Sequence, residues 1–249
     1  MTFLDGGAGT MFQAAGLAAG ADPVDWNLDR PEAVLALHNA YVAAGSQIVL
    51  ANTFGANRLK YDGQHKLADL IAAAISIARK SGAKVALDVG PTGRLLAPAG
   101  ELAFEDAYAA FAEMVRTGAA AGADLVFIET MSDTRELKAA VLAAKENCNL
   151  PVWSTVALGE DGKLLTGGSV ECVATLLEGL GVDAYGLNCG LGPDRMLPYV
   201  KRLAAVARKP LIVKPNAGMP KLVNGKTVFT VGPDEFAADV AALVDAGVE

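Results

Sequence analysis

The segment Ala121-Gly122-Ala123-Asp124-Leu125-Val126-Phe127-Ile128-Glu129-Thr130 ends an alanine-rich helix and begins a short apolar strand. Glycine accepts the left-handed backbone of a helix C-terminus without steric cost, so the Ala-Gly pair predicts where the helix ends. Residues 125–128 are apolar throughout, which is typical of a strand that is covered on both faces. The polar pair Glu129-Thr130 then marks the carboxyl end of that strand.

The same pattern recurs along the chain and predicts seven short strands. A small residue and a glycine precede apolar runs at 47–50, 84–87 and 183–187, as they do at 124–128. Two more strands follow a proline, at 151–156 and 210–214, and Phe3-Leu4 forms the first strand. The intervening segments predict helices at 31–44, 66–80, 104–120, 133–147, 171–180, 194–207 and 234–244.

Strict alternation of strands and helices predicts an α/β fold with a parallel sheet. A chain of 249 residues favours a closed (β/α)8 TIM-type barrel in a single domain over residues 1–249, with a doubly wound open sheet as the alternative. Ala246-Gly247 repeats the helix-ending signal, and only Val248 and Glu249 follow it. We therefore expect the eighth β/α unit to be absent from this chain.

Composition narrows the class of protein further. Hydrophobic residues make up 52% of the chain and charged residues 20%, which is typical of a globular domain with a large core. The net charge is −7 and no stretch concentrates Lys and Arg, so we expect neither a nucleic-acid nor a membrane partner. No signal peptide or membrane-spanning run is readable, which predicts a cytoplasmic protein.

Polar residues follow nearly every predicted strand, and in barrels of this kind the chemistry lies at the carboxyl ends of the strands. We expect these side chains to converge on one mouth. They are Asp5-Gly6-Gly7, Asn52-Thr53, Asp88, Glu129-Thr130, Ser154-Thr155, Asn188-Cys189 and Lys214-Pro215-Asn216.

Each of these positions has a structural alternative. The glycine-rich segment from Asp5 to Thr10 could hold an anion through its N–H groups, or could be a tight turn. Glu129 could accept a substrate ammonium, or form an ion pair within the barrel. Asp88 could cap the turn that follows it. Lys214 could form a Schiff base, although a salt bridge or a positioning role is favoured.

Cysteine and histidine usage gives one candidate for thiol chemistry. Cys189 follows the sixth predicted strand and could be a nucleophile, a metal ligand or buried packing. Cys148 and Cys172 lie on predicted helices, where a packing role is expected. His38 and His65 lie in or beside helices and are expected at the surface or at helix caps, so catalysis by a histidine acid or base is disfavoured.

Six segments, each at a predicted strand end, resemble one family. They are Leu4-Asp5-Gly6-Gly7-Ala8-Gly9-Thr10-Met11, Asn52-Thr53-Phe54-Gly55-Ala56-Asn57, Asp88-Val89-Gly90-Pro91-Thr92-Gly93, Glu129-Thr130-Met131-Ser132-Asp133, Gly186-Leu187-Asn188-Cys189-Gly190 and Lys214-Pro215-Asn216-Ala217-Gly218. In this order they resemble the homocysteine S-methyltransferase family, in particular the homocysteine-binding domain of its cobalamin-dependent methionine synthases.

The resemblance implies a (β/α)8 barrel that holds zinc through three cysteine thiolates. Cys189 matches the first of these ligands. The other two are adjacent in a Gly-Gly-Cys-Cys-Gly segment, which would lie a few residues beyond Glu249, so we expect an incomplete zinc site in this chain. In the family, zinc coordination makes the substrate thiol a bound thiolate, so the resemblance implies no other catalytic residue.

The resemblance also implies a substrate, a donor and partners. Asp5 and Glu129 would receive the amino group of homocysteine, and the backbone of Gly6 and Gly7, with Asn52 and Thr53 nearby, would hold its amino-acid end. Methyl transfer to the thiol gives methionine. The donor would be methylcobalamin on another domain or subunit, with betaine, S-methylmethionine or S-adenosylmethionine as alternative donors. Corrinoid-carrying and methyltetrahydrofolate-binding domains or subunits are the expected partners.

Two other functions remain open from the sequence. The first is a non-catalytic homocysteine-binding or assembly module that has lost its zinc site, which the missing cysteine pair favours. The second is a lyase that forms a Schiff base through Lys214.

Overall fold

The computed structural model describes residues 1–18, 20–219, 221–223 and 226–248, and for 221–223 and 226–228 it describes the backbone alone. The chain divides into two compact units. The N-terminal unit comprises Thr2–Ile128 and Ala139–Val152. The C-terminal unit comprises Met1, Glu129–Lys138 and Trp153–Glu249.

Three parallel strands form the sheet of the N-terminal unit. They are β1 (Ile48–Leu50), β2 (Lys84–Val89) and the first part of β3 (Leu125–Met131). Val49 pairs with Val85, and Leu87 pairs with Val126, and all four of these side chains are buried. Burial on both sides of the pleat explains why the strands are apolar throughout rather than alternating.

Among the described residues, six helices lie wholly or partly in the N-terminal unit. They are α1 (Gly9–Ala14), α2 (Trp26–Asp29), α3 (Pro31–Ala43), α4 (Leu67–Arg79), α5 (Phe104–Ala120) and the later part of α6 (Thr134–Asn147), and a 3-10 turn, Pro23–Asp25, precedes α2. The predicted helix-ending signal is confirmed, since Gly122 has a φ of 94° directly after α5. Phe12 of α1 packs edge to face on Trp26, with ring centroids 5.4 Å apart.

The C-terminal unit repeats the strand–helix alternation. Its strands are β4 (Val152–Val156), β5 (Ala184–Asn188) and β6 (Leu211–Lys214), and its helices are α7 (Val170–Gly179), α8 (Pro193–Ala204) and α9 (Pro233–Asp245). Thr155 pairs with Gly186 and Leu187 pairs with Val213, both in parallel register. A short antiparallel pair, β7 (Lys221–Val223) and β8 (Lys226–Val228), lies between β6 and α9 in the chain and was not predicted.

Strands β3 and β4 each begin in the N-terminal unit and end in the C-terminal unit. Within the N-terminal unit, the N–H of Val126 donates to the carbonyl of Pro151. Within the C-terminal unit, the N–H of Ala157 donates to the carbonyl of Met131. The strand order is therefore β1-β2-β3-β4-β5-β6, which follows the chain. A doubly wound sheet reverses its strand order part-way, so this order argues against that alternative.

The α/β class and the parallel sheet are confirmed, while closure into an eightfold barrel and the absence of an eighth unit stay predictions. The strand predicted at Phe3-Leu4 is shortened to a single parallel bridge between Leu4 and Ile48. The reason lies in Asp5, whose N–H donates to the Ile48 carbonyl at 3.1 Å while its Oδ2 accepts from Leu50 N–H at 2.8 Å. The side chain thus takes the donor that would have continued the ladder.

Candidate functional site

Asp5 ends the first predicted strand and lies buried in the N-terminal unit. Its Oδ2 accepts a 2.8 Å hydrogen bond from the Leu50 N–H, at the carboxyl end of β1. A buried carboxylate is costly unless it is hydrogen-bonded, and a backbone N–H provides one such bond. Asp5 therefore has a structural role in joining the N-terminal segment to β1.

Gly6 and Gly7 follow Asp5 against the ring of Tyr41. The Tyr41 hydroxyl donates to the Gly7 carbonyl at 2.9 Å. A Cβ placed on Gly6 would lie 2.8 Å from the same hydroxyl oxygen, so a larger residue here would have to displace the Tyr41 side chain. The two glycines are exposed. Their backbone is therefore accessible in a segment whose position is fixed by Tyr41.

Asn52, directly beyond β1, has its side chain turned towards the segment that precedes α3. Its Nδ2 donates to the Pro23 carbonyl at 2.7 Å and to Asn27 Oδ1 at 2.9 Å. The Asn27 amide donates in return to the Asn52 carbonyl at 2.8 Å. Both N–H bonds of the Asn52 amide are thus used in holding Pro23 and Asn27.

Thr53 and Asp88 connect the ends of β1 and β2. The Thr53 hydroxyl donates to the Asp88 carbonyl at 2.8 Å and accepts from the Asp88 N–H at 3.1 Å. Thr53 is fully buried, and Asp88 is buried as well. The hydroxyl thus satisfies both backbone groups of one β2 residue and ties the ends of the two strands together.

In the C-terminal unit, Glu129 and Lys214 form an ion pair. Lys214 Nζ lies 3.0 Å from Glu129 Oε2, and the two side chains are 15% and 13% exposed. The ion pair that the sequence left open for Glu129 is therefore present, and so is the salt bridge favoured for Lys214. Glu129 Oε1 makes no hydrogen bond to any residue that the structure describes.

Thr130, Asn188 and Cys189 form a second polar group in the same unit. The Asn188 side chain accepts from the Thr130 N–H at 2.9 Å and donates to the Thr130 hydroxyl at 2.7 Å. Its Nδ2 also lies 3.4 Å from Cys189 Sγ. Thr130 and Asn188 were recognised only as strand-end residues in the sequence. Their adjacency to Glu129 and Cys189 was the one available signal of a functional role.

The other cysteines and the histidines lie elsewhere. Cys148 is half-buried after α6, whereas Cys172 is exposed on α7, so the packing role expected for Cys172 is wrong. His65 contacts Asp29 with its Nε2 at 3.1 Å. His38 is buried in α3, so its expected surface or cap position is also wrong. Burial lowers the pKa of His38 to about 4.

The donor set bears on the expected zinc site. Among the residues that the structure describes, no group of three or more His, Cys, Asp or Glu side chains is placed to hold a metal ion. Cys189 is the one thiol of the strand-end residues, and a tetrahedral zinc site needs more than one thiolate. The described residues therefore do not make up the implied site by themselves.

No helix in the described part of the chain is both long and apolar enough to cross a membrane.

Comparisons with known proteins point to one family. The family model described as Homocysteine S-methyltransferase matches residues 2–249. The methionine synthase of Mycobacterium tuberculosis is 32% identical over 266 residues, and that of Mycobacterium leprae is 31% identical over 264 residues. Each alignment covers 96% of this chain and 22% of the relative, so the chain spans about a fifth of the length of these curated relatives.

Solved structures support the fold. The homocysteine methyltransferase MmuM from Escherichia coli in its metallated form superposes with a TM-score of 0.84 at 23% identity, covering all of this chain and 89% of that one. Its apo form gives a TM-score of 0.78 and covers 88% of that chain.

Proposed function

The chain belongs to the homocysteine S-methyltransferase family, and we propose that it binds L-homocysteine as the acceptor of a methyl group. Methylation of the thiol gives methionine. The observation that carries the proposal is the group of residues at the ends of β3, β5 and β6, where a carboxylate, an ammonium and a thiol lie in one unit. In this proposal the carboxylate would bind the substrate ammonium, and the cysteine thiol would be a ligand of the metal that binds the substrate sulfur.

Glu129 is the proposed acceptor for the substrate ammonium. Lys214 occupies Oε2 at 3.0 Å, and Oε1 bonds to none of the described residues, so an incoming ammonium has an oxygen to meet without displacing Lys214. When the substrate is absent, Lys214 still neutralises the Glu129 carboxylate, which needs a partner because it is mostly buried. The resemblance assigns Asp5 a share in the same ammonium, beside its bond to Leu50.

The amino-acid end is assigned to the backbone of Gly6 and Gly7. Exposed backbone N–H groups can bind a carboxylate, and Tyr41 holds this segment in place. Asn52 and Thr53 act in this proposal by fixing the neighbouring backbone, because their side chains are bonded to Pro23, Asn27 and Asp88.

The reaction is a methyl transfer to sulfur. The homocysteine thiol loses its proton to solvent, and a sulfur–carbon bond forms while the bond between the methyl group and its donor breaks. The electron pair of the broken bond stays on the donor. We propose methylcobalamin on another domain or subunit as that donor, following the methionine synthases that the chain resembles. Corrinoid-carrying and methyltetrahydrofolate-binding domains or subunits are the corresponding partners.

Zinc is the cofactor expected from the resemblance, with Cys189 as one ligand. It would supply a thiolate at neutral pH by coordinating the substrate sulfur. Since the described residues do not assemble the whole site, Cys189 as a metal ligand stays a prediction.

Calorimetry with the reduced chain tests the proposed substrate. L-Homocysteine should bind saturably, whereas 4-mercaptobutyrate, which lacks only the α-amino group, should bind at least about tenfold more weakly because Glu129 then has no ammonium to accept. Equal affinity for the two thiols, or no saturable binding of homocysteine, would refute the proposal.

Methylation is tested separately with methylcobalamin and mass-spectrometric detection of methionine. Product that depends on the chain supports the methyltransferase. Binding of homocysteine without methionine would instead support the second function, a homocysteine-binding or assembly module.

A further inference from the structure

Two residues of the C-terminal unit have a backbone conformation that side chains disfavour. Among the described residues other than glycine, Thr130 (φ 63°) and Cys189 (φ 53°) are the two with positive φ. The left-handed region is unfavourable for a residue with a Cβ, and more so for a β-branched one such as threonine. Such residues persist where the surrounding structure over-determines them, which often occurs at functional sites.

Asn188 joins these two residues. The Thr130 N–H donates to Asn188 Oδ1 at 2.9 Å, and because a backbone N–H can only donate, this contact establishes which end of the amide is the oxygen. The amide nitrogen therefore points to the Thr130 hydroxyl, at 2.7 Å, and to Cys189 Sγ, at 3.4 Å. Asn188 is 1% exposed, so its planar amide is held by three contacts away from solvent.

The backbone on either side of the thiol is also fixed. The Cys189 N–H donates to the Lys214 carbonyl at 3.0 Å, and the Cys189 carbonyl accepts from the Leu191 N–H at 2.6 Å. Gly190, between them, has a φ of 67°, and a Cβ there would lie 2.5 Å from the Leu158 carbonyl oxygen. With the main chain held in this way, the remaining freedom of Cys189 is the rotation of its thiol about χ1.

We propose that Asn188 is a positioning residue that selects the rotamer of the Cys189 thiol. The amide N–H binds one lone pair of the sulfur, so the other lone pairs face away from Asn188. The Thr130 hydroxyl acts in the same direction, because it accepts from Asn188 and lies 3.9 Å from Sγ as a donor. The left-handed backbones of Thr130 and Cys189 are what bring the hydroxyl and the sulfur to the same amide.

The inference rests on the proposed function for the role of the Cys189 thiol, because a fixed rotamer is useful where the sulfur binds a ligand. The arrangement of Asn188 and Cys189 can be tested without any ligand. An Asn188 with a merely structural role would lower stability when removed and leave the thiol rotamer unchanged.

The experiment measures the rotamer of Cys189 by NMR. In the Cys148→Ser/Cys172→Ser chain, labelling with β-13C cysteine leaves one signal, and its Hα–Hβ couplings report χ1. The parent should show the couplings of a single staggered rotamer. Asn188→Ala should show averaged couplings, because the sulfur loses the Asn188 amide donor, and the Thr130 hydroxyl loses the amide that positions it.

Three variants keep the result interpretable. Asn188→Asp has the same shape and keeps the acceptor for the Thr130 N–H but loses the N–H donor, so it too should show averaged couplings even if Asn188→Ala fails to fold. Thr130→Ser keeps the hydroxyl and should retain the parent couplings. Asn147→Ala removes another asparagine with two side-chain partners, Arg116 and Tyr108, and should also retain them.

Single-rotamer couplings in a folded Asn188→Asp or Asn188→Ala chain would overturn the proposal. So would averaged couplings in the parent. Homocysteine is absent from this measurement, so failure of the proposed substrate would appear in the calorimetry and not here.

Discussion

The strand ends of the two units use polar residues differently. In the N-terminal unit, Asp5, Asn52 and Thr53 each bond to backbone groups, at Leu50, at Pro23 and at Asp88. In the C-terminal unit the main contacts join side chain to side chain, between Lys214 and Glu129 and from Asn188 to Thr130 and Cys189.

This difference distinguishes side chains that hold the main chain from side chains that could bind a ligand. A side chain bonded to backbone fixes the main chain and has less capacity left for a ligand. A carboxylate paired with an ammonium, or an amide beside a thiol, stays able to exchange partners when a substrate arrives. We therefore propose that Glu129, Lys214 and Cys189 of the C-terminal unit make charge and sulfur contacts, and that the side chains of Asn52 and Thr53 in the N-terminal unit mainly hold the main chain.

The largest expected effect is an acid-induced loss of stability from His38. Burial lowers the pKa of His38 in the folded chain to about 4, below the ordinary value of 6.5 that it has in the unfolded chain. Between these two pH values the unfolded chain binds a proton that the folded chain does not bind. Stability present above pH 6.5 should fall by about 3 kcal/mol as the pH drops from 6.5 to 4. Urea unfolding at stepped pH measures it.

His38→Leu should remove that part of the pH dependence, because the replacement has no proton to bind. His65→Gln, which changes a half-exposed imidazole in contact with Asp29, should leave it in place. A pH profile unchanged by His38→Leu would contradict the assignment.

The next effect concerns the ion pair of the C-terminal unit. Glu129→Gln or Lys214→Met alone should lower the free energy of unfolding by about 2 to 3 kcal/mol, because each leaves a mostly buried charge without its partner. The double variant should be less destabilised than the sum of the two. Strict additivity in a double-mutant cycle would mean that the pair is not coupled.

Two matched threonine variants test the comparison directly. Thr53→Val should cost about 2 kcal/mol of unfolding free energy, because the Asp88 N–H and carbonyl lose a buried partner. Thr130→Val should cost about 1 kcal/mol or less, since Thr130 is half-buried, but should disturb the Cys189 rotamer. The reverse order of stability losses would break the comparison.

The smallest effect is expected at a second ion pair of the C-terminal unit. Arg202 donates two hydrogen bonds to the Glu171 carboxylate, from Nε to Oε1 and from Nη2 to Oε2, each 2.9 Å long. These bonds, with one from the Ser169 hydroxyl, lower the pKa of Glu171 to about 2. Both side chains are largely solvated, so Arg202→Met should barely move the urea midpoint at pH 7. A loss as large as that of Lys214→Met would show that solvent exposure does not separate the two pairs.

The sequence identified most helices and six strands, because their signals are local. Gly122 follows the C-terminal end of α5, and local apolar runs form β1 to β6. The strand predicted at Phe3-Leu4 is shortened to one bridge because the Asp5 side chain accepts from the Leu50 N–H, a contact between residues 45 positions apart that composition does not reveal.

The candidate site shows the same limit. Strand-end position was enough to single out Asp5, Asn52, Thr53, Glu129 and Cys189, but not to say which side chains face backbone and which face each other. The left-handed backbone of Thr130 and the burial of His38 also depend on tertiary packing, so the neighbouring sequence does not predict either of them.

The most direct test of the division between the units is the affinity for L-homocysteine of two folded variants, measured by calorimetry below their melting temperatures. Glu129→Gln should weaken binding by about tenfold or more, because it removes a charged partner of the ammonium. Thr53→Val should change it by less than about threefold, because its hydroxyl serves the main chain. A larger loss in Thr53→Val than in Glu129→Gln would contradict the account.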